Sequence, residues 1–311
     1  MSRNSLLFAS LPTTTRVALS RAGYESIVEL SDASPDQLSE ELGIPVSECQ
    51  ALVSTSKAPN PFINHSAADM SSKSHSILTC NFPCVNTILG GGLPRGSILE
   101  ISGPPGCFKE KLAVDFVKKV IEAGEEVIFV DMQNMVNSAT LQRILEESPT
   151  TPPDYKTLVR HTQLFTLPEL IAFMHTLHLH ITPNTRLLVL NSLSFPFQSP
   201  ADMEHSKRKA ILQRVRQFLL ETSSSGNITI VTTTQLSTKV IDANGAPANF
   251  ETGTTAIMVP QLGPTYLPAG LSYRLIIAYE SRTTGFVRLL SSPSYQPEDG
   301  PAPQEPYELV N

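Results

Sequence analysis

The chain has 311 residues, 41% of them apolar and 17% charged, which allows one core of more than about 200 residues beside a small satellite domain. Its 23 Lys and Arg stand against 29 Asp and Glu, and a net charge of −6 argues against wholesale electrostatic coating of nucleic acid while leaving room for a local basic patch. No apolar run approaches the ~18 residues of a membrane span and the apolar part of the opening MSRNSLLFASLP is short for a secretion signal, so no membrane partner and an intracellular setting are expected.

Residues 1–56 read as a small N-terminal helical domain. TTTRVALSRAG breaks at Gly23, YESIVEL follows, and SPDQLSEEL offers Ser34 as N-cap, Pro35 in the first turn and Gln37 three positions after the cap. Short helices joined at Gly23 and Gly43 fit a helix-hairpin-helix-like bundle, a unit that serves either a nucleic-acid backbone or a protein partner. Residues 57–76 are rich in Ser, Ala, Pro and Asn without a helical or strand period and read as a linker. It is either a plain tether or a segment that adds a strand to a neighbouring subunit, with Phe62 as its apolar anchor.

Residues 77–293 carry the core. ILEIS, EVIFVDM, RLLVLN and ITIVTTT are short apolar runs of the kind that lie in a parallel sheet buried on both faces. TLVRHTQLFT is a further strand candidate, and helical patterns alternate with the runs. The stretches 271–279 and 284–290 look like a closing antiparallel pair. Alternation of this kind gives a doubly wound α/β sheet, in which ligands sit beyond the strand carboxyl ends. The last residues, 294–311, are Pro-rich and acidic without a Lys or Arg, and read as a disordered tail.

The stretch ILEISGPPGCFKEKLAVDFVKKV has the strand–turn–helix frame of a phosphate-binding loop, G-x-x-x-x-G-K-[ST]. Gly103 and Lys109 stand at the right spacing around Pro104, Pro105, Gly106 and Cys107. Phe108 replaces the second glycine, which keeps side chains away from phosphates, and Glu110 replaces the hydroxyl that would hold magnesium. In the empty protein the Glu110 carboxylate is well placed, because the first turn of a helix favours an anion by roughly 0.3–1 kcal/mol. A nucleotide hydrolase of this layout needs two further acids. Gln133 falls at the position of the catalytic acid, with Asp131 two residues earlier, and Asn191 falls where a later strand should end in an Asp. An amide cannot take a proton, so losing the base costs roughly 10²–10⁴ in rate. Against this, Glu110 leaves one carboxylate in the magnesium region, merely moved, and Lys109 still offers its charge to phosphate.

Gln235 ends ITIVTTTQ, where it either senses a phosphate or bonds to nearby backbone. The Gly/Ala/Asn/Thr-rich stretch 236–261 reads as a long loop that would meet nucleic acid through backbone amides more than charge. Lys207, Arg208, Lys209, Arg214 and Arg216 form a basic run, a solvated helix face before it is a DNA patch or import signal. Cys80 and Cys84 lack a second pair, and His175, His178 and His180 lack a nearby acid or thiol, so no metal site is expected.

With a helical N-terminal unit and a linker ahead of CVNTILGGGLPRGSILEISGPPG, VIFVDMQ, LLVLNSLSFPF and TTTQLSTKV, the chain resembles the eukaryotic RecA-like strand-exchange recombinases. Within them it is most similar to the paralogues that assist the main recombinase, the C-type paralogue in particular. AIMVPQLGPTYLPAGLSYRLIIAY and its SSPS ending add to the likeness, which covers residues 11–294. The resemblance implies a RecA-like P-loop NTPase core and a nuclear role in DNA repair by homologous recombination, assisting filament assembly on single-stranded DNA with other RecA-like subunits. By position it implies ATP and Mg as cofactors, residues 103–110 as the nucleotide loop, Gln133 as the catalytic-acid position, Asn191 as the magnesium-acid position, and 235–261 as the second DNA loop. The four departures at Phe108, Glu110, Gln133 and Asn191 point to a subunit that works by contact, with a DNA-dependent ATPase of atypical loop as the alternative.

Overall fold

The computed structural model describes residues 15, 22, 34–57, 77–198, 203–243, 248–249, 251–268, 270–297 and 300–309. The chain divides into two units, Met1–Lys73 and Ser74–Asn311. In the first, α1 (Pro35–Leu42) and α2 (Val46–Lys57) pack on each other through Leu38, Leu42, Cys49 and Val53. Pro35 opens α1 and Gly43, at φ 65°, closes it in the left-handed region that glycine tolerates. Ser34 occupies the N-cap position but makes no side-chain cap bond. The break at Gly23, most of the expected bundle and the linker with Phe62 lie outside the described residues.

The second unit runs β1 (Ile77–Leu78), α3 (Pro83–Ile88), β2 (Leu93–Pro94), β3 (Ile98–Ser102), α4 (Lys109–Glu122), β4 (Glu126–Asp131) and α5 (Ser138–Glu146). It continues with α6 (Tyr155–Leu158), β5 (Val159–Gln163), α7 (Leu167–Thr176), β6 (Thr185–Asn191), α8 (His205–Gly226) and β7 (Thr229–Thr234). Strands β8 (Leu236–Ile241), β9 (Thr255–Pro260), β10 (Ser272–Tyr279), β11 (Thr284–Ser291) and β12 (Gln304–Glu308) complete it. Eight strands form one sheet in the order β12-β11-β10-β3-β7-β6-β4-β5. From β10 to β5 every neighbouring pair is parallel, so β3, β7, β6 and β4 end at the same edge.

The apolar runs are continuous because successive side chains feed opposite faces. Leu99, Ile101, Val127, Phe129, Leu187, Val189 and Val231 join α4 on one side, whereas Ile98, Ile128, Val130, Leu188, Leu190 and Ile230 join α7 and α8 on the other. This is the α/β layering expected from the sequence.

Two expectations are corrected. The stretch 236–261 contains a two-stranded antiparallel ribbon, β8 with β9, rather than only a loop. The segment 294–311 is not a disordered tail along its length, since β12 pairs antiparallel with β11 as the edge of the sheet. Composition misled here because an edge strand tolerates Pro306, which lacks an N–H, and the exposed Glu308, while one residue, Tyr307, supplies its buried contact.

One charged group stands in the middle of the sheet. Glu100 on β3 is 0% exposed, and its carboxylate accepts from Arg274 Nε at 2.6 Å, Tyr266 Oη at 2.8 Å and Thr234 Oγ1 at 3.3 Å. Burial, then the Glu100 charge, pushes the Tyr266 hydroxyl well above its ordinary pKa, so it stays a donor. Arg274→Ala would leave that carboxylate without its cation and should destabilise the unit by about 3–5 kcal/mol. The double change Glu100→Met with Arg274→Met should recover most of the loss. Urea unfolding of both variants checks this.

Candidate functional site

Residues 103–108 turn the chain from β3 into α4. Gly106 takes φ 81°, which the turn itself reserves for glycine, while a Cβ on Gly103 would stand 2.5 Å from Cys107 Sγ and push that side chain aside. Phe108 is different. Its φ of −82° suits any side chain, and its ring is buried. It stacks on Phe82 with centroids 4.9 Å apart and meets Tyr307 edge-on at 4.7 Å. The aromatic side chain standing at the expected glycine position is thus taken up by the core, between α3 and β12.

Lys109 is 1% exposed, although it is the residue whose charge should face a phosphate. Its Nζ donates to the Pro104 carbonyl at 3.1 Å and lies 3.0 Å from Glu110 Oε1 in an ion pair. Cys107 Sγ is 4.0 Å from the same nitrogen. Burial pushes the Cys107 thiol up in pKa, against the pull of Lys109. The loop therefore supplies its own anion. Glu110 Oε1 makes no hydrogen bond, so Lys109 holds it by charge.

The other expected residues gather at the adjoining strand ends. Gly103 N donates to Thr234 O at 3.3 Å and Ser102 shares a hydroxyl contact with Thr234 at 2.8 Å, tying the loop to β7. Gln235 follows β7, and its Nε2 donates to Gln133 Oε1 at 3.4 Å, so two glutamines singled out separately by sequence touch. Gln235 N also donates to Ser194 Oγ at 3.0 Å. Gln235 Oε1 is buried without a hydrogen-bond partner.

Asn191 ends β6 with both sides of its amide engaged. Nδ2 donates to Asp131 Oδ1 at 3.2 Å, and Oδ1 accepts from Thr233 Oγ1 at 2.8 Å. Thr233 Oγ1 in turn accepts from Ser192 N at 2.7 Å. Asp131 is equally occupied: Oδ1 also takes Gln133 N at 3.3 Å and Oδ2 takes Val136 N at 2.9 Å. This carboxylate organises the turn after β4. Asn134 and Ser192, the residues that leave the β4 and β6 ends, sit at φ 58° and 60°, a conformation that a non-glycine side chain holds only when its surroundings fix it.

The basic run divides. Lys207 pairs with Glu204 at 3.5 Å and Arg208 lies 5.5 Å from the centre of the Phe197 ring, while Lys209, Arg214 and Arg216 are exposed on α8. His175, His178 and His180 are exposed. Burial pushes the Cys80 thiol up to about 12, which makes it unreactive at neutral pH. Among the described residues no three His, Cys, Asp or Glu stand together as a metal site.

No protein-family model matches the chain. It is 23% identical to the DNA repair protein RAD51 homolog 3 of Cricetulus griseus, over 94% of this chain and 88% of that protein. It is 24% identical to RAD51 homolog 3 of Dictyostelium discoideum, over 68% of this chain and 59% of that one. The DNA repair and recombination protein RadA of Aeropyrum pernix is 22% identical over 72% of this chain and 73% of its own length. The chain is similar, over most of its length, to DNA repair proteins of the RecA-like recombinase and recombinase-paralogue type. The structure gathers the residues singled out from the sequence, the turn 103–110, Gln133, Asn191 and Gln235, at four neighbouring strand ends. Sequence reasoning missed Asp131 as the hub, although an acid closing an apolar run was a usable signal, and it missed Tyr307, for which no signal existed.

Because Asn191 Nδ2 is 3.2 Å from the Asp131 carboxylate in a site with no exposure, Asn191→Asp should set two carboxylates against each other. The introduced carboxyl would have a folded pKa raised above the unfolded value of about 3.9. The variant should therefore match the natural chain near pH 4 and fall behind it by about 1–3 kcal/mol as pH rises to 7. Thermal melts across that range check the sign.

Proposed function

We propose that this chain is a recombinase-paralogue-like protein that serves recombinational DNA repair as a contact subunit whose phosphate loop no longer turns over ATP. In this reading it assists recombinase filament assembly on single-stranded DNA, in the nucleus, beside other RecA-like subunits. The repair role rests on relatives named as DNA repair proteins, including the protein rhp55 of Schizosaccharomyces pombe, 23% identical over 67% of this chain.

The observation that carries the loss of turnover is the Lys109–Glu110 pair. Phosphate binding needs a free ammonium, and here the ammonium is buried and neutralised by the adjacent side chain. Two further features support the reading. No hydroxyl follows Lys109 to hold magnesium, and both ends of the Asn191 amide are committed to Asp131 and Thr233. The residues present do not fit a magnesium nucleotide in this arrangement, so no chemical step is assigned to the site. Gln133, in the catalytic-acid position, bonds to Gln235 and has no carboxylate to activate water.

The alternative, a DNA-dependent ATPase with an atypical loop, has one observation in its favour: the turn at Gly103 and Gly106 retains a phosphate loop's frame. Phosphate release by the purified chain, with magnesium and single-stranded DNA, separates the two. The expected rate equals that of Lys109→Ala. A DNA-stimulated rate at least about tenfold above that background would establish the alternative. Affinity purification from the native cell should recover another RecA-like subunit, and recovery of the chain alone would remove the contact role.

A further inference from the structure

Strand β12 is held to the sheet on one side only, through β11, and its single buried side chain is Tyr307. That side chain has a shaped seat. Tyr307 is the register partner of Gly285, and a Cβ there would stand 2.8 Å from the Tyr307 hydroxyl. The ring meets Phe108 edge-on, and Phe108 stacks on Phe82. Tyr307 shares a cavity lining with the loop's own Cys107, and burial, with smaller contributions from Cys107 and Cys84, pushes the Tyr307 hydroxyl up in pKa.

The strand also separates two openings. One is a groove of about 1020 Å³ that reaches Phe82, Glu110 and Asp115, and the other is a cavity of about 330 Å³ that reaches Gly106, Cys107 and Phe108. Tyr307 and Leu309 line both. Residues of and just after β12 thus line both openings beside the turn that carries Lys109. On the far side of Phe108, Asp115 of α4 accepts from Asn81 N and from Asn81 Nδ2, the latter at 2.7 Å, and so fixes the segment bearing Phe82.

We propose that β12 is a latch: seating Tyr307 against Phe108 sets the conformation of residues 103–110, and releasing the strand frees that turn. The coupling runs through one residue. Phe108 is both the last loop residue before α4 and the surface on which Tyr307 rests, so the loop cannot keep its packing when the latch leaves. An edge strand with one buried anchor and a proline in mid-strand is the part of the sheet that opens at least free energy. Nothing in the strand's acidic, Pro-rich composition marks it as a latch. Its contacts do.

The device concerns the same loop as the proposed function and rests on that reading only in treating the loop as a structural element. Amide hydrogen exchange on the full chain, without nucleotide, tests it. In Tyr307→Ala, peptides covering 82–86 and 103–110 should exchange at least about tenfold faster than in the natural chain, together with 304–308. Tyr307→Phe, which keeps the ring, should behave as the natural chain. Where Tyr307→Ala does not fold, Tyr307→Leu carries the same expectation, because it keeps apolar bulk and removes the edge contact. Faster exchange at 304–308 with 103–110 unchanged would overturn the latch. That outcome would leave the turnover result standing, and turnover would leave the exchange result standing.

Discussion

An ammonium group that is 1% exposed needs an anion beside it, and in this chain the anion is the next residue. The local structure of the site follows from that pairing. Lys109 sits at the start of α4 because Gly106, at φ 81°, lets the chain turn sharply after β3, and Glu110 rides on the first helical turn, where backbone amides favour negative charge. The helix start that would otherwise attract a phosphate already has a carboxylate in place.

Internal polar contacts recur along the strand ends. Asp131, Asn191 and Thr233 form a chain of hydrogen bonds across β4, β6 and β7, and Gln133 and Gln235 bond to each other at the neighbouring strand ends. Phe108, which a glycine would replace in a working phosphate loop, joins α3 to β12 through Phe82 and Tyr307. Phe108, Gln133 and Asn191 each have a packing or hydrogen-bonding partner within the unit, and Glu110 has its ion pair with Lys109. In the proposed reading the site is filled by its own side chains.

Much of the sheet was legible in the sequence because buried parallel strands must be apolar on both faces, and ILEIS, EVIFVD, RLLVLN and TIVTTT are nearly so. The loop was legible from the spacing of Gly103 and Lys109. Register was not, and register is what brings Gln133 to Gln235 and Asn191 to Asp131. The edge strand was hidden for a different reason: five residues with one buried ring in an acidic, Pro-rich context carry no period to read. The ribbon of β8 and β9 was hidden because β9 is largely exposed and its partner alternates weakly.

The most direct test of the account is calorimetric titration of magnesium ATP into the natural chain and into Glu110→Ala. The account predicts no saturable binding by the natural chain up to about millimolar nucleotide, and binding by the variant once Lys109 is freed of its partner. Tight binding by the natural chain, with the variant no tighter, would contradict it.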